Sequence, residues 1–319
     1  MKIVVLDGGV LNPGDLSWEK LEQLGTVAVY DDTPAEQVAE RLGDADVAIT
    51  NKVVLNDNVF RQCPNLKFIG VTATGYNVVD IAAAKARGIV VSNVPTYGTA
   101  TVAQFTTALM LELCNRVGEH DTDVHAGGWS TRNTWCYWLQ PMIEVAGKNV
   151  GIIGYGRIGQ AFGAVAQALG MNVLACSQGQ KTLPESDNLR YVDLDTVYAE
   201  ADVISLHCPL TPETKGMINR QALQKMKKTA LLLNASRGDL VNEADLAAAL
   251  NEGRIAGAAV DVLSREPAQP ENPLLTAKNC LITPHIAWAS VEARGRILST
   301  TVENVAAFCH GKTQNRVDM

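Results

Sequence analysis

No stretch of this 319-residue chain approaches the ~18 uninterrupted apolar residues that a membrane-spanning helix needs. The sequence also lacks a basic run or a basic–aromatic stripe. Its formal net charge of −7 favours solubility and argues against a nucleic-acid surface. The seven cysteines (63, 114, 136, 176, 208, 280 and 309) are scattered, odd in number and without C-x-x-C spacing. Disulfides, zinc and any other metal site are therefore not expected, and a reducing cytoplasm fits. A signal peptide is not expected either. The run from Met1 to Leu6 begins like one, but Asp7-Gly8-Gly9 cuts it short and leaves a first strand. Apolar residues make up 47% and charged residues 19%, as in a globular protein, and the length favours two domains.

The clearest positive feature lies at residues 149–161, Asn-Val-Gly-Ile-Ile-Gly-Tyr-Gly-Arg-Ile-Gly-Gln-Ala. An apolar run, read as a buried strand, feeds into G-x-G-x-x-G, and a helix pattern of small residues follows. Gly154 permits the tight turn, Gly156 lets the backbone approach a pyrophosphate, and Gly159 lets helix and strand pack closely. Tyr155, Arg157 and Ile158 complete the loop, and the helix N-terminus offers free N–H groups to phosphate. A tight turn with no ligand is the plainer reading, but the flanking strand and helix favour a nucleotide site.

Residues 1–100 alternate strand patterns (2–6, 47–50, 67–72, 89–92) with helix patterns (35–42, 57–62, 79–87). A long helix is expected from about 101 to 116. The alternation restarts at Lys148, with strands at 149–153, 172–175, 203–206, 230–233, 258–262 and 280–282, and a last helix at 291–309. Such repeats imply an α/β chain of two doubly wound parallel sheets. Residues 120–146 are poorly periodic and hold Trp129, Trp135 and Trp138, three of the five tryptophans. This segment reads equally as a loop packed on its own domain or as an arm burying aromatics against a second subunit.

In a parallel sheet all carboxyl strand ends share one edge, where ligands bind. The polar residues that follow the strands therefore belong to one rim: His207-Cys208-Pro209, Asn234-Ala235-Ser236-Arg237-Gly238, Asp261 with Arg265-Glu266-Pro267, and Thr283-Pro284-His285. Arg237, Glu266 and His285 suit hydride transfer to a 2-oxo acid. The guanidinium can grip a carboxylate bidentately. The imidazole can hand over a proton near neutral pH, and a carboxylate beside it would hold its tautomer. His207 is a competing histidine. In the first domain, Thr74-Gly75-Tyr76 could present backbone N–H groups to the substrate carboxylate, in a cleft between the domains. Tyr97, Trp138 and Trp288 read either as pocket walls or as core.

These segments, with Thr74–Asp80, Asn93-Val94-Pro95, His207–Thr214 and Asp261-Val262, resemble the NAD(P)-dependent D-2-hydroxyacid dehydrogenases over nearly the whole chain. The resemblance is nearest to the glycerate dehydrogenase, or hydroxypyruvate reductase, branch. It implies a Rossmann nucleotide-binding domain at 101–286. It also implies a discontinuous, flavodoxin-like substrate domain, 1–100 plus 287–319, and a homodimer joined through the nucleotide domain. Arg237 becomes the substrate binder, His285 the acid/base and Glu266 its partner. Asp261 is implied near the carboxamide, and Thr214 and Ser236 near the cofactor, beside Cys208, Pro209 and Ala235. The implied reaction reduces hydroxypyruvate or glyoxylate to D-glycerate or glycolate.

One departure concerns the cofactor. NAD-preferring members carry an acid at the end of the second strand of the nucleotide domain, where it takes the ribose hydroxyls. Here Ser177 stands at that point, and Lys181 could pair with a 2′-phosphate, so NADPH should serve at least as well as NADH. Gln104 replaces a glutamate found in many members, without a firm physical account. A dinucleotide-sensing corepressor and a phosphite dehydrogenase are the alternatives that keep the same trio; formate dehydrogenases pair the histidine with Gln, against Glu266 here.

Overall fold

The computed structural model, which describes residues 1–177 and 184–318, divides into two compact units. One comprises Met1–Gly98 together with the chain from Trp288 onward, and the other is Thr99–Ala287.

The first unit holds five strands: β1 (Lys2–Val5), β2 (Thr26–Val29), β3 (Val47–Thr50), β4 (Phe68–Val71) and β5 (Val90–Ser92). Their order is β2-β1-β3-β4-β5, with every neighbouring pair parallel, as in flavodoxin-like sheets. Helices cover both faces, so the inner strands are nearly continuous apolar runs; Ile3, Val4, Val47, Ala48, Ile49, Phe68 and Ile69 are fully buried. Each of these side chains except the small Ala48 contributes roughly 1.5–3 kcal/mol by leaving water. The helix Val291–Cys309 belongs to this unit. Ser290 caps it by accepting the Ala293 N–H, and Phe308 stacks 5.0 Å from Phe68.

The second unit holds β6 (Asn149–Ile153), β7 (Asn172–Cys176), β8 (Leu189–Tyr191), β9 (Val203–Leu206), β10 (Leu231–Asn234), β11 (Gly257–Val260) and β12 (Cys280–Ile282). The all-parallel order β12-β11-β10-β9-β6-β7-β8 is the Rossmann order with one added strand. Strand order reverses between β6 and β9, where such sheets open for a ligand. The helix Thr99–Asn115 packs on β10, β11 and the helix Arg157–Ala168, burying Leu109, Met110 and Leu113. No helix among the described residues is long and apolar enough to cross a membrane.

The structure adds β2 and β8 to the strands expected from the sequence. Both are short edge strands, and each pairs with a single neighbour. An edge strand has little apolar surface to bury, so Thr-Val-Ala-Val and Leu-Arg-Tyr carry a weak pattern. The expected helix at 35–42 is a 3-10 turn, Ala35–Gln37, followed by the helix Val38–Leu42. The tryptophan-rich segment begins in two short helices, Val117–His125 and Gly128–Thr131. Its tryptophans do not pack inward: Trp129, Trp135 and Trp138 are 49%, 86% and 63% exposed. Tyr97 and Trp288 instead meet edge to face at 6.4 Å, packed against Leu11, Val94 and Ile297.

Candidate active site

The glycine turn is shaped by what lies around it. Gly154 follows β6 with φ +95°, and a Cβ there would run into the backbone of His207 and Cys208. Gly159 lies so close to the turn that a Cβ would stand 2.5 Å from the Gly154 carbonyl oxygen. Around Gly156, by contrast, a Cβ would meet nothing within 4 Å among the described residues. Gly156 is the N-cap of the 12-residue helix Arg157–Ala168, with no side-chain cap and no acid in the first turn. Open space, first-turn N–H donors and a positive helix end suit a dinucleotide pyrophosphate. Arg157 is exposed and Ile158 half-buried, whereas the Tyr155 ring is buried edge to face on Tyr191 at 5.9 Å. Tyr155 thus has only its backbone to offer a ligand.

At the end of β9, the His207 ring contacts Phe162 (5.5 Å between centroids), and its Nε2 lies 2.8 Å from Ser205 Oγ. Part of the residue reaches the surface, yet the ring is enclosed, and this burial lowers its pKa to about 4. At neutral pH the ring is therefore uncharged. Cys208 is also buried, which raises its thiol pKa, and its carbonyl accepts a 2.8 Å hydrogen bond from Ser236 Oγ. Ser236 thus ties the ends of β9 and β10 together. Thr214 is half-buried and donates from Oγ1 to the Pro209 carbonyl at 2.8 Å.

The remaining residues come from the ends of β10, β11 and β12. Asn234, fully buried, donates from Nδ2 to the Arg237 carbonyl (2.9 Å) and accepts from the Ser236 N–H (3.1 Å). These bonds shape the turn that carries Ala235 and the exposed Arg237. Gly238 follows, and a Cβ on it would overlap the backbone of Leu263 and Ser264. This close approach joins the Arg237 turn to the one that carries Glu266. Glu266 accepts the Leu263 N–H at Oε1 (3.1 Å) and lies 2.7 Å from His285 Nδ1 through Oε2. Among the described residues, His285 Nε2 has no hydrogen-bond partner, and each side chain is about one-third exposed (32% and 38%). Arg237 makes no hydrogen bond to this pair; its Nη1 donates to the Ser236 carbonyl at 2.7 Å.

His285 takes φ +56°, a conformation uncommon outside glycine. The buried Asp261 holds it there. Its carboxylate accepts from Thr283 Oγ1 (2.6 Å) and from the N–H groups of Ile286 (2.9 Å) and Ala287 (2.8 Å), while its carbonyl accepts the His285 N–H (2.7 Å). Sequence reasoning marked Asp261 as a cofactor contact and missed this turn-building duty. It also missed Asn234 and Ser205 as supports; a buried polar residue within or ending an apolar strand was the available signal. Ser177 follows β7 and is exposed, and Lys181 lies outside the described residues. In the other unit, Thr74, Gly75 and Tyr76 form an exposed turn after β4.

Comparison with known proteins agrees with this geometry. Residues 107–287 match the family described as D-isomer specific 2-hydroxyacid dehydrogenase, NAD binding domain. The chain is 54% identical over 321 residues, covering all of both chains, to a hydroxypyruvate reductase of Blautia hydrogenotrophica. It is 44% identical to a glycerate dehydrogenase of Methylorubrum extorquens over 89% of this chain and 88% of that one. Among solved structures it resembles a protein of Thermus thermophilus (TM-score 0.88, 34% identity, 99% and 100% of the two chains). An acyclic imino acid reductase in complex with NADPH and D-Arg is similar at TM-score 0.83 and 29% identity, over 99% and 100% of the chains. The chain belongs to the D-isomer-specific 2-hydroxyacid dehydrogenase family. It is an oxidoreductase that moves a hydride between a nicotinamide dinucleotide and a 2-oxo acid.

Proposed function

We propose that this protein reduces hydroxypyruvate, and glyoxylate with it, to the D-2-hydroxy acid. The observation that carries the reading is the His285–Glu266 pair, 2.7 Å apart, on the same strand-end edge as the glycine turn. Likeness to a hydroxypyruvate reductase along the whole chain supports the choice of 2-oxo acid. When bound, the nicotinamide dinucleotide supplies the hydride. Gly154, Gly156 and Gly159, with the backbone of Tyr155, Arg157 and Ile158, receive its pyrophosphate. Cys208, Pro209, Thr214, Ala235, Ser236 and Asp261 supply further contacts to it.

Arg237 takes the substrate carboxylate in a two-pronged pair and polarises the adjacent carbonyl. Glu266 holds Nδ1 of His285, so that Nε2 delivers one proton to the carbonyl oxygen as the hydride reaches its carbon. His207, uncharged and bonded to Ser205, is ill suited to that task. Thr74, Gly75 and Tyr76 offer backbone donors to the same substrate. The unit Met1–Gly98 with the C-terminal segment is accordingly the substrate domain, and Thr99–Ala287 the dinucleotide domain.

The exposed Ser177 puts no carboxylate where it would repel a 2′-phosphate, so NADPH serves at least as well as NADH. The exposed Trp129, Trp135, Trp138 and Met142 support a homodimer joined through this apolar surface. Seven free cysteines suit the cytoplasm.

The test is turnover of NADH and NADPH with hydroxypyruvate, glyoxylate, pyruvate and phenylpyruvate, together with phosphite oxidation. Hydroxypyruvate should give the highest kcat/KM. His285→Gln should lower kcat about 10²–10⁴-fold while leaving cofactor affinity in place. Full activity in that variant, or turnover of phosphite alone, would overturn the reading.

A further inference from the structure

We infer that a closed ring of asparagine hydrogen bonds, formed by Asn93, Asn304 and Asn315, positions the Thr74–Tyr76 turn for substrate. The inference rests on the reading of that turn as a substrate contact. The turn itself is exposed, and Tyr76 keeps 40% of its surface accessible. Its base, however, is fastened to buried polar groups. Asn93 donates from Nδ2 to the Thr74 carbonyl (2.8 Å), and Thr74 Oγ1 donates to the Val94 carbonyl (3.0 Å). The Val94 N–H in turn reaches the Ala73 carbonyl at 3.1 Å.

Asn93 does not stand alone. Its N–H donates to the Asn315 carbonyl (3.0 Å), and its own carbonyl accepts from Asn304 Nδ2 (2.9 Å). Asn304 Oδ1 accepts from Asn315 Nδ2 (2.9 Å), which closes the ring. Asn93 and Asn304 are buried and Asn315 half-buried, so losing the Asn304–Asn93 bond would leave buried polar groups unpaired. Asparagine suits the duty because one amide both donates and accepts.

The ring brings three distant segments together: the end of β5, the helix Val291–Cys309 and the C-terminal strap. That strap runs antiparallel along β5. Ser92 bridges Arg316, Ser92 Oγ donates to the Gln314 carbonyl (2.8 Å), and the Val317 N–H reaches the Val91 carbonyl (2.9 Å). Asp318 locks its far end, accepting the Val91 N–H and a two-pronged pair from Arg316 at 2.8 and 2.9 Å. Asn315 bends the strap into the ring with φ +50°. Neither Asn304 nor Asn315 hydrogen-bonds the turn directly. Both act through Asn93.

The experiment compares KM for hydroxypyruvate, kcat and NADPH dissociation constants in Asn304→Leu, Asn315→Gly and Gly75→Val. Glycine at 315 keeps the positive φ while removing the amide, so it serves where Asn304→Leu fails to fold. In both ring variants KM should rise roughly fivefold or more, the scale of one buried hydrogen bond, with kcat and NADPH affinity within twofold of the parent. Gly75→Val, which puts a branched side chain in the turn itself, should raise KM at least as much. A KM unchanged in the ring variants but raised by Gly75→Val overturns the positioning inference and spares the substrate reading. A KM unchanged by Gly75→Val overturns both. Equal losses in kcat and NADPH affinity mark general destabilisation and also overturn it.

Discussion

His207 makes stability depend on pH in a direction the structure dictates. Burial lowers its pKa from 6.5 to about 4, so the unfolded chain binds a proton in a range where the folded chain does not. Above about pH 6.5 neither state is protonated and the residue adds no pH dependence. Between 6.5 and about 4, the folded state loses about 1.4 kcal/mol per pH unit, or about 2 kcal/mol by pH 5 and about 3 kcal/mol by pH 4. The perturbation is His207→Gln, which keeps an amide able to bond Ser205 Oγ but cannot titrate. Urea unfolding followed by tryptophan fluorescence, at half-unit steps from pH 4.5 to 8, gives the stability of parent and variant. Subtracting one from the other removes every other titrating group. The variant's relative stability should be flat above pH 7 and climb by about 2 kcal/mol as the pH falls to 5. A difference that stays constant across the range would refute the enclosed, neutral ring.

The other predictions follow from contacts in the same unit. Gly238→Ala should cost roughly 3 kcal/mol, seen as a lower urea midpoint, because its Cβ would meet the fixed backbone of Leu263 and Ser264; an unchanged midpoint would mean the two turns are not in contact. Arg237→Lys should raise KM for the 2-oxo acid roughly 10-fold or more with little change in NADPH binding, since an ammonium cannot form the fork; an unchanged KM would remove the guanidinium from the substrate. Ser177→Asp should move the ratio of kcat/KM towards NADH at least tenfold, and a parent enzyme already strongly favouring NADH would refute the serine argument.

How much of this was legible in the sequence depended on how each feature is encoded. Apolar runs such as Val-Ala-Ile-Thr at 47–50 and Leu-Leu-Leu-Asn at 231–234 announce strands covered on both faces, and the two parallel sheets followed from them. The G-x-G-x-x-G turn was legible because its glycine spacing between a strand and a helix is a pattern in itself, even though Gly154 also answers to the distant His207–Cys208 backbone. The edge strands β2 and β8 were not, since half-exposed strands carry little pattern. Contacts between distant segments were also hidden. Nothing local says that Gly238 is pressed on Leu263, that Asp261 holds three donors, or that the His207 ring is enclosed. The tryptophans of 129–138 left two readings open, because a sequence lists aromatics without saying which way they face.

The strand-end edge shows where rigidity has been placed. A left-handed His285 costs on the order of 1–3 kcal/mol, and such a conformation persists only where its surroundings over-determine it. Here they do: three donors converge on the Asp261 carboxylate, and its carbonyl takes the His285 N–H. Charge-assisted bonds of this kind are roughly twice as strong as neutral ones, so together they offset the strain. Asn234 and the Gly238 approach do the same for the backbone under Arg237. In both turns the main chain is fixed, while the Arg237 side chain is exposed and His285 Nε2 has no hydrogen-bond partner among the described residues. The imidazole adds one further restraint, because Glu266 fixes its Nδ1 side and leaves Nε2 as the nitrogen without a hydrogen-bond partner among the described residues. Backbone constraint of this sort would spare Arg237 and His285, in the catalytic roles proposed for them, the reorganisation that a floppy turn would require at each turnover.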